Sequence, residues 1–255
     1  KLISHRFDFE DVKKAYDLIL GKDKSLGILI KYPFKKTVIN DEIDLPRKKA
    51  LNRKYAKVKL GFIGAGNYAK KILIPTFERV GGQFISIGSK MGLNSVIIGE
   101  KYGFSKATTD INKLIRNNDI NTIVITTRHS SHADLILKCL KYKKNIFVEK
   151  PLCLTKEELL SIKNAYKGDS FLMVGFNRRF APLVKELKIL LKDLPKEKSF
   201  IYNINAGFIE PNHWTQDKEI GGGRLLGEAC HFVDLLRYLS DSKIIHISHI
   251  YANDL

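Results

Sequence analysis

The apolar positions of this chain keep two periods, and the two alternate in a regular order. Val58, Leu60, Phe62 and Ile63 make a short apolar run of the kind a buried strand carries, and it ends in glycine. From residue 68 to 80 the apolar positions recur at helical spacing. The same exchange then repeats. Residues 84–88 read as a strand, a helix falls within 94–102, and Asp110 caps a short helix running to Arg116. Residues 122–127 are a β-branched strand, 132–142 a helix and 145–148 another buried strand. Thr155 and Glu158 form a capping box that opens a helix to Tyr166, and 171–176 reads as one more strand. About six strands separated by helices predict one doubly wound parallel sheet.

On either side of this stretch the pattern changes. After Asn177, a helix is predicted over 181–191, a strand over 200–206, a long polar loop over 207–222, a helix over 224–239 and a strand from 243 to 251. A strand that begins and then meets the chain end makes this second domain look cut short. Before residue 57, Asp8 is expected to cap a helix with Val12, Ala15, Tyr16 and Ile19 on one stripe, and 26–31 reads as a short strand. Residues 33–56, with prolines and many charges, read as a linker. The expected division is therefore 1–32, a linker at 33–56, a sheet domain at 57–176 and a second domain at 177–255.

The turn between the first strand and helix of the sheet domain carries the chemistry. It reads Gly64-Ala65-Gly66-Asn67-Tyr68-Ala69, the G-x-G-x-x-A form of a dinucleotide fingerprint. Gly64 lets the backbone turn out of the strand, Gly66 lets a diphosphate approach the main chain, and Ala69 lets helix and strand pack closely. The phosphates would meet free N–H groups and the positive end of the helix dipole. An acidic residue at the end of the second strand would select NAD through the ribose 2′-hydroxyl. This chain has Ser89 and Lys90 there, a hydroxyl and a cation, which suit a 2′-phosphate and favour NADP over NAD.

Composition narrows the partners. The chain has 255 residues, 44% of them hydrophobic, enough for a sizeable core. No run is long enough to span a membrane and no signal pattern opens the chain, so no membrane partner is expected. The net charge of +17 raises a nucleic-acid reading. The lysines are scattered over predicted helices, apart from Lys48, Lys49, Arg53, Lys54 and Lys57 in the linker, so a solvated basic surface is preferred. Cys139, Cys153 and Cys230 lack metal or redox spacing and fit packing residues in a reducing cytoplasm; no metal is expected.

Four further segments join the fingerprint: Thr126-Thr127-Arg128-His129-Ser130-Ser131-His132, Glu149-Lys150-Pro151, Gly175-Phe176-Asn177-Arg178-Arg179-Phe180, and Gly221-Gly222-Gly223 through Gly227-Glu228-Ala229-Cys230-His231. In this order, from 57 to about 250, the chain resembles the glucose–fructose oxidoreductase / inositol dehydrogenase (Gfo/Idh/MocA) family of NAD(P)-dependent sugar oxidoreductases. The resemblance implies an α/β fold: a Rossmann sheet followed by an α+β domain, here incomplete, with an open, mostly antiparallel sheet. It implies a hydride moved between nicotinamide and a CH–OH or ketone of a sugar, cyclitol or nucleotide sugar, and a homo-oligomer. A non-catalytic sensor or scaffold of the same fold is the alternative.

The resemblance also distributes roles. Gly64, Ala65, Gly66, Asn67, Tyr68, Ser89, Lys90, Thr126, Thr127, Arg128, His129, His132, Glu149 and Pro151 would lie along the cofactor, although His132 reads equally well as a helix-start residue bonded to backbone. Lys150 would polarise the reacting oxygen, and His231 would act as general acid/base. The family places an Asp four residues before that histidine; here the position is Gly227, and Glu228 either substitutes or faces solvent or substrate. Asn177, Arg178, Arg179, His213, Trp214, Asp217 and Arg224 would bind substrate, with Trp214 either stacking on a ring or anchoring its loop. Residues 1–32 resemble the closing segment of a zinc-type medium-chain alcohol dehydrogenase, which implies a fragment of a bi-domain oxidoreductase of the kind linked to surface-polysaccharide synthesis.

Overall fold

A computed structural model describes residues 2–21, 23–33, 40–46, 58–194 and 197–250. The chain divides into two compact units, residues 1–40 and 41–255. In the first, β1 (His5–Asp8) and β2 (Ile28–Lys31) pair in parallel, and α1 (Val12–Leu20) crosses between them. Ala15 is the buried residue of that helix. The Asp8 side chain makes no capping bond: it ends β1, and a 3-10 turn over Phe9–Asp11 intervenes before α1.

The second unit holds a seven-stranded sheet of order β3-β6-β5-β4-β7-β8-β9. Its strands are β3 (Glu42–Asp44), β4 (Lys59–Ile63), β5 (Gln83–Gly88), β6 (Lys106–Thr108), β7 (Thr122–Ile125), β8 (Asn145–Val148) and β9 (Leu172–Val174). Every pair is parallel except β3 with β6. The helices are α2 (Ile74–Arg79), entered through a π-helical turn over Ala69–Leu73, then α3 (Leu93–Tyr102), α4 (Ile111–Arg116), α5 (His132–Lys141) and α6 (Lys156–Ala165). Helix α4 is capped by Asp110 and α6 by the Thr155–Glu158 box, as their sequence signals predict.

The sheet is buried on both faces, which explains the unbroken apolar runs of its central strands. On one face, Leu60, Phe62 and Val124 pack with Leu73, Ile74, Ile98 and Phe104. On the other, Ile123, Ile125, Ile146 and Val148 pack with Leu114, Ile136, Cys139 and Ile162. Phe62 meets the rings of Phe77, Phe84 and Phe104 edge-on, at centroid distances of 5.7–5.9 Å. Each such buried side chain contributes about 1.5–3 kcal/mol of transfer free energy. Because β5 and β7 flank β4 on opposite sides, the chain leaves the sheet in opposite directions there, and a crevice opens at the carboxyl ends of β4 and β7.

Two expectations change. Part of the 33–56 linker is an edge strand: β3 runs antiparallel to β6, Leu45 is buried, and Glu42 is held by Lys106 at 2.9 Å and Lys113 at 3.1 Å. The short, charged β3 lacks an apolar run long enough to announce it. The basic cluster from Lys48 to Lys57 lies outside the described residues. After β9 the chain forms α7 (Pro182–Leu190), a long loop, a π-helical turn over Leu225–Ala229 and α8 (Cys230–Ser240). The strands expected at 200–206 and 243–251 have no ladder among the described residues. Their apolar side chains, Ile201, Ile245 and Ile247, stand exposed, because a strand needs a hydrogen-bonding neighbour that the described residues do not offer it.

Candidate active site

The glycine turn lies at the switch point of the sheet. Gly64 has φ +106°, and a Cβ on it would stand 2.7 Å from both the carbonyl oxygen and Oγ1 of Thr126. Its N–H donates to the Gly88 carbonyl at 2.8 Å, and the Thr126 N–H donates to the Ile63 carbonyl at 2.8 Å. Thr126 Oγ1 lies 3.2 Å from the Ile63 carbonyl and 3.1 Å from that of Gly64. The turn is thus locked between β5 and β7. Gly66 is different: a Cβ there would meet nothing within 4 Å. Ala69 is buried beneath the helix start. A turn closed at its first glycine, open at its second and followed by first-turn amides fits a diphosphate.

Tyr68 extends this turn toward the second region, because its hydroxyl accepts a bond from Asn177 Nδ2 at 3.0 Å. Burial, then the nearby Glu149, push its phenol pKa up. At the end of β5, buried Ser95 donates its hydroxyl to Ser89 Oγ at 2.7 Å, which leaves the Ser89 proton for another acceptor, and Lys90 is exposed.

Lys150 follows β8 at the carboxyl edge, across a cis bond to Pro151. Its ammonium donates to the Gly227 carbonyl, and no described ion pair joins it to Glu149. Glu149 is itself unusual. Its Oε1 is buried without a hydrogen-bond partner, and burial pushes its pKa up to about 7 against the pull of Lys150. A Cβ on Gly175 would lie 2.6 Å from that oxygen, so Glu149 occupies the space a side chain would need there.

His231 opens α8 and faces the Phe176 ring at 6.1 Å, with Nδ1 buried and unpartnered. Burial first, then the charges of Lys150 and Arg178, lower its pKa to about 4. Its imidazole is therefore neutral near pH 7 and has a nitrogen to offer. It lines a cleft of about 500 Å³ with Asn177, Arg178, Phe180 and Ala181. Neighbouring Cys230 has its thiol pKa raised by burial, consistent with packing.

The segment after β7 is more structural than its sequence implies. His132 is fully buried, with Nδ1 2.7 Å from the Pro151 carbonyl and Nε2 3.2 Å from that of Thr127. Burial lowers its pKa, and a neutral ring can donate to only one of the two, the nearer. His132 is thus a brace between the ends of β7 and β8, in keeping with the helix-start alternative. Thr127 Oγ1 is bonded by Ser131 at 2.6 Å. His129 bonds the Gly221 carbonyl through Nδ1 at 2.7 Å, and burial lowers its pKa. Trp214 meets His129 edge-on at 4.9 Å and lies under Arg128 at 5.8 Å, contacts that suit the anchoring role.

Several residues read as catalytic or substrate-binding are committed elsewhere. Glu228 does not pair with His231; Arg224 holds its Oε2 through Nε at 3.1 Å and Nη2 at 2.9 Å. Arg224 is spent on that carboxylate and on the Gly207 carbonyl at 2.7 Å. Arg179 grips buried Asp234, with Nε at 2.6 Å from Oδ2 and Nη2 on Oδ1, and its guanidinium lies 5.6 Å from the Tyr238 ring. Asp217 organises the triple-glycine loop, its Oδ1 accepting from the amides of Glu219 at 2.8 Å and Ile220 at 3.0 Å. His213 bonds Thr215 at 2.8 Å. Helix partners three to four residues apart are readable in sequence; Asp234, 55 positions from Arg179, was not. The Gly227 carbonyl, a main-chain group, carries no sequence signal at all.

No group of three or more His, Cys, Asp or Glu side chains among the described residues could hold a metal ion, and no described helix is long and apolar enough to cross a membrane.

This chain is similar to a myo-inositol 2-dehydrogenase of Thermotoga maritima, at 30% identity over 57% of this chain and 43% of the relative. It is similar to a scyllo-inositol 2-dehydrogenase (NAD(+)) of Bacillus subtilis, at 28% identity over 74% of this chain and 55% of the relative. Among solved structures it resembles a levoglucosan dehydrogenase in complex with NADH and levoglucosan, with a TM-score of 0.61 and 26% identity over 71% of this chain and 53% of that one. The chain spans about half the length of these relatives. Residues 58–176 match the family model GFO_IDH_MocA, described as an oxidoreductase family with an NAD-binding Rossmann fold. The strand order and the locked glycine turn agree with this match, and residues 58–176 have a Rossmann fold.

Proposed function

We propose that the protein is an NAD(P)-dependent oxidoreductase that moves a hydride between nicotinamide and a secondary alcohol or ketone of a sugar, cyclitol or nucleotide sugar. The observation that carries this reading is the pair formed by Lys150 and His231. Lys150 leaves the sheet at its carboxyl edge, and its charge adds to the burial that lowers the pKa of His231, which lines a cleft. Gly64, Ala65, Gly66, Asn67 and Tyr68 would hold the diphosphate. Ser89 and Lys90 would take a 2′-phosphate, so NADP is preferred. Glu149, with its unpartnered oxygen, would accept a hydroxyl of the cofactor.

When bound, the nicotinamide supplies or accepts the hydride. The protein's own part is positioning and proton traffic. Lys150 presents an ammonium, held by the Gly227 carbonyl, that polarises the substrate oxygen. His231 takes the alcohol proton on an imidazole nitrogen, or returns it in reduction. The second region, residues 177–255, would hold substrate through Asn177 and Arg178 and pair with another copy. Residues 1–32 are read as the tail of a zinc-type dehydrogenase domain, and the whole as a bi-domain enzyme of surface-polysaccharide synthesis in the cytoplasm.

The test is isotope transfer. NADPH and NADH deuterated at the nicotinamide C4 would be incubated with a panel of keto-sugars and keto-cyclitols, and products read by mass spectrometry. Deuterium on a product carbinol carbon is the expected outcome. Cofactor binding with no label in any product would overturn the reading. That result would support a cofactor-binding sensor or scaffold, which the capture of Glu228 by Arg224 already favours as the second reading.

A further inference from the structure

The cleft beside His231 is unbalanced in charge. Lys150 and Arg178 both act on this histidine, and the acids around it are already committed. Asp234 is gripped by Arg179 and Glu228 by Arg224. Burial pushes the Glu149 pKa up to about 7, so near pH 7 it carries only part of a negative charge. Among the described residues, no carboxylate lies within ion-pair distance of Arg178. Its guanidinium lies 4.6 Å from the ring centroid of buried Phe232. An arginine seated on an aromatic face keeps its in-plane N–H groups directed outward, in the fork that carboxylates and phosphates fit. Here that fork borders the same cleft as His231.

We propose that this cleft takes a sugar-type substrate bearing an anionic group, a carboxylate or a phosphate, and that Arg178 binds that group. The inference rests on the oxidoreductase reading and narrows its substrate class. It has a consequence for the proton step. Burial first, then Lys150 and Arg178, depress the basicity of His231 against smaller opposing pulls from Asp234 and Glu228, and an anion seated on Arg178 would offset one of the two cations. The substrate's charge then restores part of the base strength that the empty cleft withholds, so neutral analogues are poorer substrates even where they fit. The net charge of +17 acts in the same direction by drawing anions toward the surface.

The experiment compares matched ligands on the whole chain by calorimetry, with and without saturating NADPH: glucose, glucuronate, glucose 6-phosphate and UDP-glucose. At least one anionic ligand is expected to bind about tenfold or more tighter than glucose, the size of one charge-assisted hydrogen bond. Glucuronate against the phosphates shows which anion is used. Arg178→Gln should erase the preference and Arg178→Lys should keep part of it. Should Arg178→Gln fail to fold, the wild-type preference must itself shrink between about 0.05 and 0.5 M salt. Equal affinities, no measurable binding of any anionic probe, or a preference that survives Arg178→Gln would overturn the proposal. NADPH fluorescence on the same samples reads the cofactor site separately. Its failure counts against the oxidoreductase reading, while anion preference in the cofactor-free chain still decides this one.

Discussion

The two glycines of the fingerprint make opposite demands, and alanine at each separates architecture from ligand binding. At position 64 a Cβ meets the carbonyl of Thr126, the residue after β7, at 2.7 Å, and φ is +106°. The backbone conformation alone costs an L-residue roughly 1–2 kcal/mol. The contact is with a carbonyl that cannot swing away, so the total comes to about 2–4 kcal/mol. For a unit of this size each kcal/mol lowers Tm by roughly 2–4 °C, so Gly64→Ala should melt at least ~4 °C lower. At position 66 the added methyl enters open space and the backbone is outside the left-handed region. Gly66→Ala should therefore be neutral or stabilise by up to about 1 kcal/mol, through the unfolded chain. Its effect should fall on the ligand. The methyl stands where the diphosphate must come within hydrogen-bond reach of the amides, and losing one charge-assisted bond weakens NADPH by about tenfold or more. Circular-dichroism melts and NADPH fluorescence titrations read the two effects separately. Wild-type affinity in Gly66→Ala would refute passage of a diphosphate over this residue. An unchanged Tm in Gly64→Ala would refute the lock against β7.

Three further outcomes follow from the site. Lys150→Ala should lower turnover by ~10²-fold or more while NADPH affinity changes only a few-fold, as expected for a proton-transfer role; unchanged turnover removes that role. Glu149 has its pKa raised from 4.5 to about 7, so the folded chain holds the extra proton across that window and stability falls as pH rises through it. His231, lowered from 6.5 to about 4, acts oppositely and adds stability as pH rises from 4 to 6.5. Glu149→Gln should therefore gain on the wild type in urea melts as pH rises from 5 to 7, and parallel curves would sink the buried-carboxyl account. Asp234→Asn leaves Arg179 without its counter-charge. A cost of about 1–3 kcal/mol is expected, below that of a wholly buried pair because Arg179 is partly exposed, and a urea midpoint equal to wild type would count against it.

Sequence pattern revealed most of the sheet because the physics there is local. Continuous apolar runs mark strands buried on both faces, and Asp110 and Thr155 mark helix starts with side-chain oxygens that bond amides three residues on. Strands β3 and β6 are three residues each and are partly charged, so they lack the apolar run that announces the equally short β9. In the site, residue type was legible but partnership was not. An arginine after β9 reads as a substrate ligand until α8 brings Asp234 against it. Likewise Glu228 reads as a stand-in carboxylate until Arg224, one helical turn before it, takes the charge. Such pairings depend on which helix faces meet, and that is set by packing across the whole unit.

Gly227 shows where local and global readings must be joined. Taken alone, a glycine where the family resemblance implies a carboxylate looks like a lost function. The surroundings make it a fitted replacement. A Cβ at 227 would lie 3.2 Å from His129 Cε1 and 3.3 Å from the Gly221 carbonyl, the same carbonyl that His129 bonds. A side chain at 227 and an imidazole at 129 compete for one space, and this chain gives it to the imidazole. Residue 227 also sits in a π-helical turn, where the Cys230 N–H reaches back five residues to Leu225. In that wider turn the carbonyl of residue 227 receives the Lys150 ammonium. A backbone oxygen thus holds the lysine without contributing a full negative charge, which leaves the cleft cationic and the histidine weakly basic until a charged ligand arrives. Restoring the carboxylate by Gly227→Asp would then disturb His129 before it could serve His231, so it should lower stability and leave His231 without a new partner unless His129 is shortened in the same chain.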